Sequence, residues 1–336
     1  MKKALSFDDV LLEPQFSSVV SRSEVDLTVP IGGVGHLDLP IVSAPMDTVT
    51  EVEMAIELYK YGALGILHRY NTIDEQVEMA VEVGNEAPLF GAAIGATGDF
   101  LERARALVSV ASVPILCVDV AHGHHISVRY ALEVLKNTFG NQVHIMAGNV
   151  ATLQAFNDLA DWGADSIRVG IGGGSICSTR IQTGHGIPTF QSVLDCAQSD
   201  RDALLIADGG LRNSGDIVKA LAAGADLVML GSLLAGTEET PGEVISRGRR
   251  CKVYRGMASK EAQMEWKGSY RSFEGVSTTI DYKGPVGPIL DDLGTGIRSG
   301  LSYSGARSLV ELNWKAAFIQ QTSAGAVESS THIRRV

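Results

Sequence analysis

The run VPILCVDV, Val113 to Val120, is apolar at every position until Asp119. A strand with one wet face alternates apolar and polar side chains, whereas a strand covered on both faces does not, and parallel sheets packed under helices are built from the second kind. Before this run lies GDFLERARALVSVA (98–111), with apolar residues at helical spacing. After it, beyond room for another helix, comes a second run, QVHIMAG (142–148). The alternation extends both ways: LPIVSA (39–44), GALGILH (62–68) and LFGAAIG (89–95) precede, and ADSIRVG (164–170), ALLIADG (203–209) and DLVMLG (226–231) follow. TEVEMAIELYKY (50–61), TLQAFNDLADW (152–162) and SGDIVKALAAG (214–224) supply further helical stretches, each long enough for a right-handed crossover. Eight such units predict an α/β fold, a (β/α)8 barrel of the TIM type, as a single domain over residues 1–336. A doubly wound open sheet is the competing architecture. Polar residues weigh against it, because PMDTV follows the first strand, Asp119 closes the fourth, Gly148–Asn149 the fifth, Asp208–Gly210 the seventh and Gly231–Ser232 the eighth. A barrel gathers all these ends on one face, where the active sites of such enzymes lie.

At 336 residues the chain can bury a sizeable core, and its net charge of −11 argues against a broad surface for nucleic acid. The longest basic cluster is RGRR, 247–250. Cys117, Cys177, Cys196 and Cys251 are widely spaced with no CxxC pair, which disfavours a zinc site or a disulfide framework and fits a cytoplasmic protein. The start, MKKALSFDDVLLEP, places Asp8 and Asp9 before any apolar run, so no signal peptide is expected, nor is any segment apolar for the length of a membrane span. A polar insertion at 237–290, after the eighth strand, is expected to serve as a flap or substrate loop over the barrel mouth.

RVGIGGGSICSTRIQTGHG (168–186) holds one cysteine among many glycines. An isolated cysteine is usually buried and inert, but glycines bring backbone N–H groups close to a ligand and would favour a thiolate there. Gly209–Gly210 and Gly231–Ser232 end the seventh and eighth strands, where barrels commonly hold a phosphate. With an anionic substrate nearby, Cys177 is a candidate nucleophile. Thr179 either handles protons or braces the loop, and Asp208 either binds ribose hydroxyls or caps a turn. The histidines of AHGHH (121–125) have no carboxylate at a recognisable ligand spacing, so a metal site is not expected there.

The ordered set SFDDVLLEP, SAPMDTVTE, MAGNVAT, GIGGGSICSTR, ADGG, VYRGMAS and GIRSGLSYSGA resembles the IMP dehydrogenase/GMP reductase family over nearly the full length. The resemblance implies a barrel enzyme, assembled as a homotetramer, in which a cysteine attacks carbon 2 of a purine nucleotide and a nicotinamide cofactor exchanges a hydride. It implies that Cys177 is the nucleophile and Thr179 its proton-handling neighbour. Ser175, Gly210, Gly231, Ser232 and Tyr254 match phosphate positions, Asp208 the ribose ligand and Met257 a base contact, with Gly209 and Gly256 also expected to bind substrate. Asp119 and Arg69 fall on the cofactor side. Backbone carbonyls of Gly172, Gly174 and Cys177 match a potassium site of the dehydrogenases.

Dehydrogenases of this family usually carry CBS modules after the second strand, and the short connection here leaves no room for them. The segment between Met257 and Glu274 is also too short for their water-activating flap, and YRSFEG (270–275) resembles the reductase pattern, in which a Glu at the position of Glu274 works with the threonine on ammonia departure. The expected activity is therefore reduction of GMP to IMP and ammonia with NADPH, NADH or NAD being compatible. The alternatives are an IMP dehydrogenase lacking CBS domains and, from another class, a non-catalytic purine-nucleotide-binding barrel. Arg69 replaces the lysine typical of reductases, VAHG replaces VANG, and the tail SAGAVESSTH (323–332) is similar to a dehydrogenase ending.

Overall fold

A computed structural model describes residues 3–246, 248–270 and 274–329. The eight runs form eight parallel strands: β1 (Ile41–Ser43), β2 (Ile66–Leu67), β3 (Gly91–Ile94), β4 (Ile115–Asp119), β5 (His144–Val150), β6 (Ser166–Val169), β7 (Leu204–Asp208) and β8 (Leu227–Leu230). Each pairs with its neighbour in sequence from β2 to β8, and β8 pairs with β1. A parallel bridge between Val42 and Leu64 joins the remaining edges, with Leu64 N donating to Ile41 O at 3.0 Å and Ser43 N to Leu64 O at 2.8 Å. The sheet thus closes on itself, which the doubly wound alternative forbids.

Closure explains the missing polar alternation. Ile115 and Cys117 of β4 face an interior cluster with Ile66, Ala93, Met146, Ile206 and Met229, while Leu116 and Val118 face the outer cluster under the helices. A hairpin of strands Val29–Ile31 and Gly35–Leu37 adds Val29, Ile31 and Leu37 to the interior cluster. Crossovers run through α1 (Val52–Lys60), α2 (Ile73–Glu86), α3 (Phe100–Ala111), α4 (Ile126–Phe139) and α5 (Leu153–Asp161), then α6 (Thr179–Thr183) with α7 (Thr189–Cys196), and α8 (Ser214–Ala222). Helix starts follow their caps. Thr72 Oγ1 accepts from Glu75 N while Glu75 returns a carboxylate to Thr72 N, and Asn213 accepts from Asp216 N at the start of α8.

The insertion after β8 contains an antiparallel three-stranded sheet, β9 (Glu243–Ser246), β10 (Arg249–Arg255) and β11 (Ser277–Asp281), with helix α9 (Lys260–Lys267) between the last two strands. Helix α10 (Gly287–Tyr303) begins inside the range taken for the insertion from its composition, because Pro288 suits a first helical turn. All four cysteines are free thiols. Among the described residues no helix is long and apolar enough to cross a membrane.

Candidate active site

A cavity of about 390 Å³ opens at the C-terminal ends of the strands. Every position singled out from the sequence lines it: Cys177, Thr179 and Glu274; Ser175, Tyr254, Gly231 and Ser232; Asp208, Gly209 and Gly210; Gly256 and Met257; Arg69 and Asp119; Gly172 and Gly174. The loop after β6 reaches the cavity by passing tightly over the end of β7. Gly170 adopts φ +152°, and a Cβ there would stand 1.9 Å from Asp208 O; Gly209, at φ +91°, faces Gly174 N in the same way at 3.0 Å. Only glycine allows both approaches.

At the reactive corner, Cys177 Sγ donates to Thr179 Oγ1 at 3.1 Å, and Thr179 Oγ1 donates to Glu274 Oε2 at 2.8 Å. Glu274 is delivered by main chain. Ser178 N donates to Glu274 O at 2.8 Å, Val276 N donates to Ile176 O at 3.0 Å, and Cys177 and Gly275 form an antiparallel bridge. The arrangement offers a thiol nucleophile and a two-step path for its proton to a carboxylate. Arg271, weighed in the sequence as part of YRSFEG, lies outside the described residues.

Elsewhere on the cavity wall, Ser175 Oγ and Tyr254 Oη are 3.2 Å apart. Burial pushes the Tyr254 phenol above its ordinary range, outweighing its hydrogen bonds with Ser175 and Ser232, so it remains a donor at neutral pH. Behind the turn after β8, Lys283 Nζ donates to Ser232 O at 2.8 Å and Leu233 O at 3.3 Å.

The cavity is also lined by a group that the sequence reading did not single out. Arg168 of β6 is buried and forks between Asp119 and Asp208, with Nη2 2.9 Å and Nε 3.2 Å from Asp208 Oδ2. Asn149 Nδ2 donates to the same oxygen at 2.7 Å and to Gly170 O at 2.9 Å. Burial alone would depress the guanidinium, but the charges of Asp119 and Asp208 overrule it and hold its pKa well above the usual arginine value. Below it, burial pushes the Cys117 thiol to about 12. A charged side chain in the apolar run ADSIRVG was the available signal, since a buried arginine demands partners on other strands.

Arg69 Nη2 donates to Asp119 O at 3.2 Å. Together with Tyr70, Val120 and Gln263, Arg69 also lines an adjoining cavity of about 1090 Å³. Gly172 and Gly174, matched above to potassium donors, have close neighbours within the loop. Gly174 O accepts from Cys177 N at 3.1 Å, and the Arg180 side chain packs on Gly172, where a Cβ would meet its Cγ at 2.7 Å. His124 pairs with Asp158 at 2.7 Å, a partner on α5 that spacing did not reveal. No group of three or more His, Cys, Asp or Glu among the described residues is arranged to hold a metal.

The sequence model of the IMP dehydrogenase / GMP reductase domain matches residues 4–332. The chain belongs to this family. Its members are NAD(P)-dependent oxidoreductases of purine nucleotides. The family relatives include the inosine-5′-monophosphate dehydrogenase of Nitrosopumilus maritimus, 33% identical over 98% of both chains. The GMP reductase of Leishmania major is 32% identical over 99% of this chain and 97% of its own length. A crystal structure of a cysteine-to-alanine variant of GMP reductase from Trypanosoma brucei, in complex with guanosine 5′-monophosphate, superposes with a TM-score of 0.95 at 31% identity, covering 100% of this chain and 99% of that one. The Leishmania alignment runs over 481 positions against 336 residues here, so that reductase carries a long stretch this chain lacks. Absence of the stretch therefore does not separate the family's two activities.

Proposed function

We propose that this chain is a GMP reductase, converting GMP to IMP and ammonia with NADPH as reductant through a covalent intermediate on Cys177. What supports the reading is the hydrogen-bond chain from the Cys177 thiol through Thr179 to Glu274, which puts a titratable carboxylate one hydroxyl away from the nucleophile. As the S–C2 bond forms, the thiol proton passes through Thr179 to Glu274. As the C2–N bond breaks, it returns by the same route to the departing amino group, which leaves as ammonia. When bound, the reduced nicotinamide supplies a hydride to C2, after which the S–C2 bond breaks to free IMP and the Cys177 thiolate. In this reading Ser175, Gly210, Gly231, Ser232 and Tyr254 hold the phosphate, Asp208 the ribose, and Met257 the base. Asp119 and Arg69 face the cofactor, and the enzyme works as a homotetramer.

The second reading is the dehydrogenase, IMP with NAD⁺ and water to XMP, favoured by the similar identity of the Nitrosopumilus relative. Two reactions separate them, followed through the absorbance of reduced nicotinamide and by ammonia release. GMP with NADPH is expected to turn over repeatedly, while IMP with NAD⁺ gives at most one enzyme equivalent of reduced cofactor. Sustained XMP formation with GMP left unreacted would falsify the reductase assignment.

A further inference from the structure

Tyr254 reaches the smaller cavity from β10, a strand of the insertion that belongs to no barrel unit, so its place depends on what fixes that strand against the barrel mouth. Arg255 is next in the chain, and consecutive strand residues point to opposite faces. Tyr254 and Met46, from the loop after β1, line the smaller cavity, whereas their chain neighbours Arg255 and Asp47 line the larger one. The two pairs of neighbours are thus the two sides of one wall, and an ion pair joins them on the far side.

Arg255 Nε and Nη2 donate to Asp47 Oδ2 at 3.0 and 2.6 Å, with the two side chains 16% and 9% exposed. Its Nη1 also meets Glu265 of α9, but that carboxylate is 69% exposed, where an ion pair contributes little. Asp47 Oδ1 is buried with no hydrogen-bond partner among the described residues, so opening the pair would strand a buried charge. Main chain completes the join, as Arg255 N donates to Thr48 Oγ1 at 3.2 Å and Asp47 N to Met257 Sδ at 3.2 Å. On the near side of the wall, a Cβ on Gly231 would stand 3.3 Å from both Met46 Sδ and Tyr254 Oη. The Tyr254 hydroxyl is therefore held over the turn after β8, at a distance set by how β10 meets the loop after β1.

We propose that Arg255 is a positioning residue, whose grip on Asp47 sets the Tyr254 hydroxyl against the phosphate of the bound nucleotide. This rests on the substrate half of the function proposed above, not on the direction of hydride transfer. The Arg255 side chain lies on the other side of the wall from the nucleotide, so its effect on nucleotide affinity passes through Tyr254.

The test is a double-mutant cycle read as the Kd of GMP by titration calorimetry, on the parent, Arg255→Met, Tyr254→Phe and the double variant, each shown by circular dichroism to be folded at the temperature of the titration. Arg255→Met should raise the Kd about tenfold, as for loss of a hydrogen bond to a charged group. In the Tyr254→Phe background, where no hydroxyl remains to be placed, the same replacement should change the Kd by no more than about twofold. A general loosening of the fold would add its full cost in both backgrounds. If Arg255→Met does not fold, Asp47→Asn, which keeps the shape of the carboxylate and removes its charge, takes its place in the same cycle. Unchanged GMP binding to the folded single variant, or equal losses in the two backgrounds, overturns the positioning role alone, whereas a parent that does not bind GMP overturns it together with the substrate reading.

Discussion

Replacing Arg168 by Met keeps most of the side-chain volume but removes the charge held between Asp119 and Asp208. The side chains of the three residues are 8%, 18% and 16% exposed, so the two carboxylates would be left facing each other in a site that water screens poorly. Breaking a buried ion pair by removing one partner costs about 3–5 kcal/mol. With an unfolding entropy of roughly 2.1 cal/mol/K per residue, a chain of this length loses about 0.7 kcal/mol per kelvin at its midpoint, so Tm should fall by about 4–7 °C. The assay is thermal unfolding at neutral pH followed by circular dichroism, with Arg168→Met/Asp119→Asn beside the single variant. Removing one carboxylate should recover part of the loss, because the residual cost is repulsion between unpaired charges. The Kd for GMP should weaken as well, since Asp208 loses the partner that orients it. If Arg168→Met melts within about 1 °C of the parent, or the double variant is no better than the single, the guanidinium does not hold Asp119 and Asp208 together.

Glu274→Gln should slow GMP reduction far more than it weakens GMP binding, because an amide accepts the Thr179 hydrogen bond without carrying the proton onward; comparing single-turnover rates with nucleotide affinity checks this, and an unchanged rate removes Glu274 from the proton path. His144 is buried on Ser166 Oγ at 2.8 Å, and burial, with Lys136 adding to it and Asp165 opposing, holds its imidazole below the usual range. Unfolded chain therefore takes up a proton first, so the stability His144 lends is present above the ordinary imidazole value of roughly 6.5 and is lost as the pH falls from there towards its lower folded value. Melts from pH 8 to pH 5 should show the parent losing ground against His144→Gln, and a constant gap across that range would count against the assignment.

The barrel was legible in the sequence because both faces of its strands are buried, so residues such as Ile115 to Val118 carry no compromise with solvent. The small sheet of the insertion was not legible for the opposite reason. β11 reads STTID with all five positions exposed or half-exposed, and β9 buries none of its residues fully, so neither periodicity nor composition marks them as strands. Cys177 and Thr179 were found together because they are neighbours in one glycine-rich loop. Glu274 lies 95 residues further on, and only the resemblance to a family pattern pointed to it. Arg168 was passed over because its partners come from β4 and β7, 49 and 40 residues away, and no local rule pairs a strand arginine with aspartates at those distances.

The insertion is more than a cover for the barrel mouth. Tyr254, on the cavity wall, pairs with Thr278 across β10 and β11, and Glu274 stands just before β11 in the same short run of chain. That run is also stitched to the cysteine loop, through Ser178 N to Glu274 O and Val276 N to Ile176 O. The small sheet therefore carries the Tyr254 hydroxyl and is entered by the run that holds Glu274, with the Cys177 loop tied to that run. If, as proposed, Tyr254 and Ser175 hold the nucleotide phosphate, that grip bears on the sheet leading to Glu274, and binding energy gained away from the reacting carbon can be expressed where the proton moves. The barrel strands hold the other half of the site by ion pairs that do not involve the insertion, Arg168 with Asp119 and Asp208. In the function proposed above, nucleotide orientation and proton handling would thus be anchored in different parts of the chain, with Tyr254 the point at which the insertion joins them.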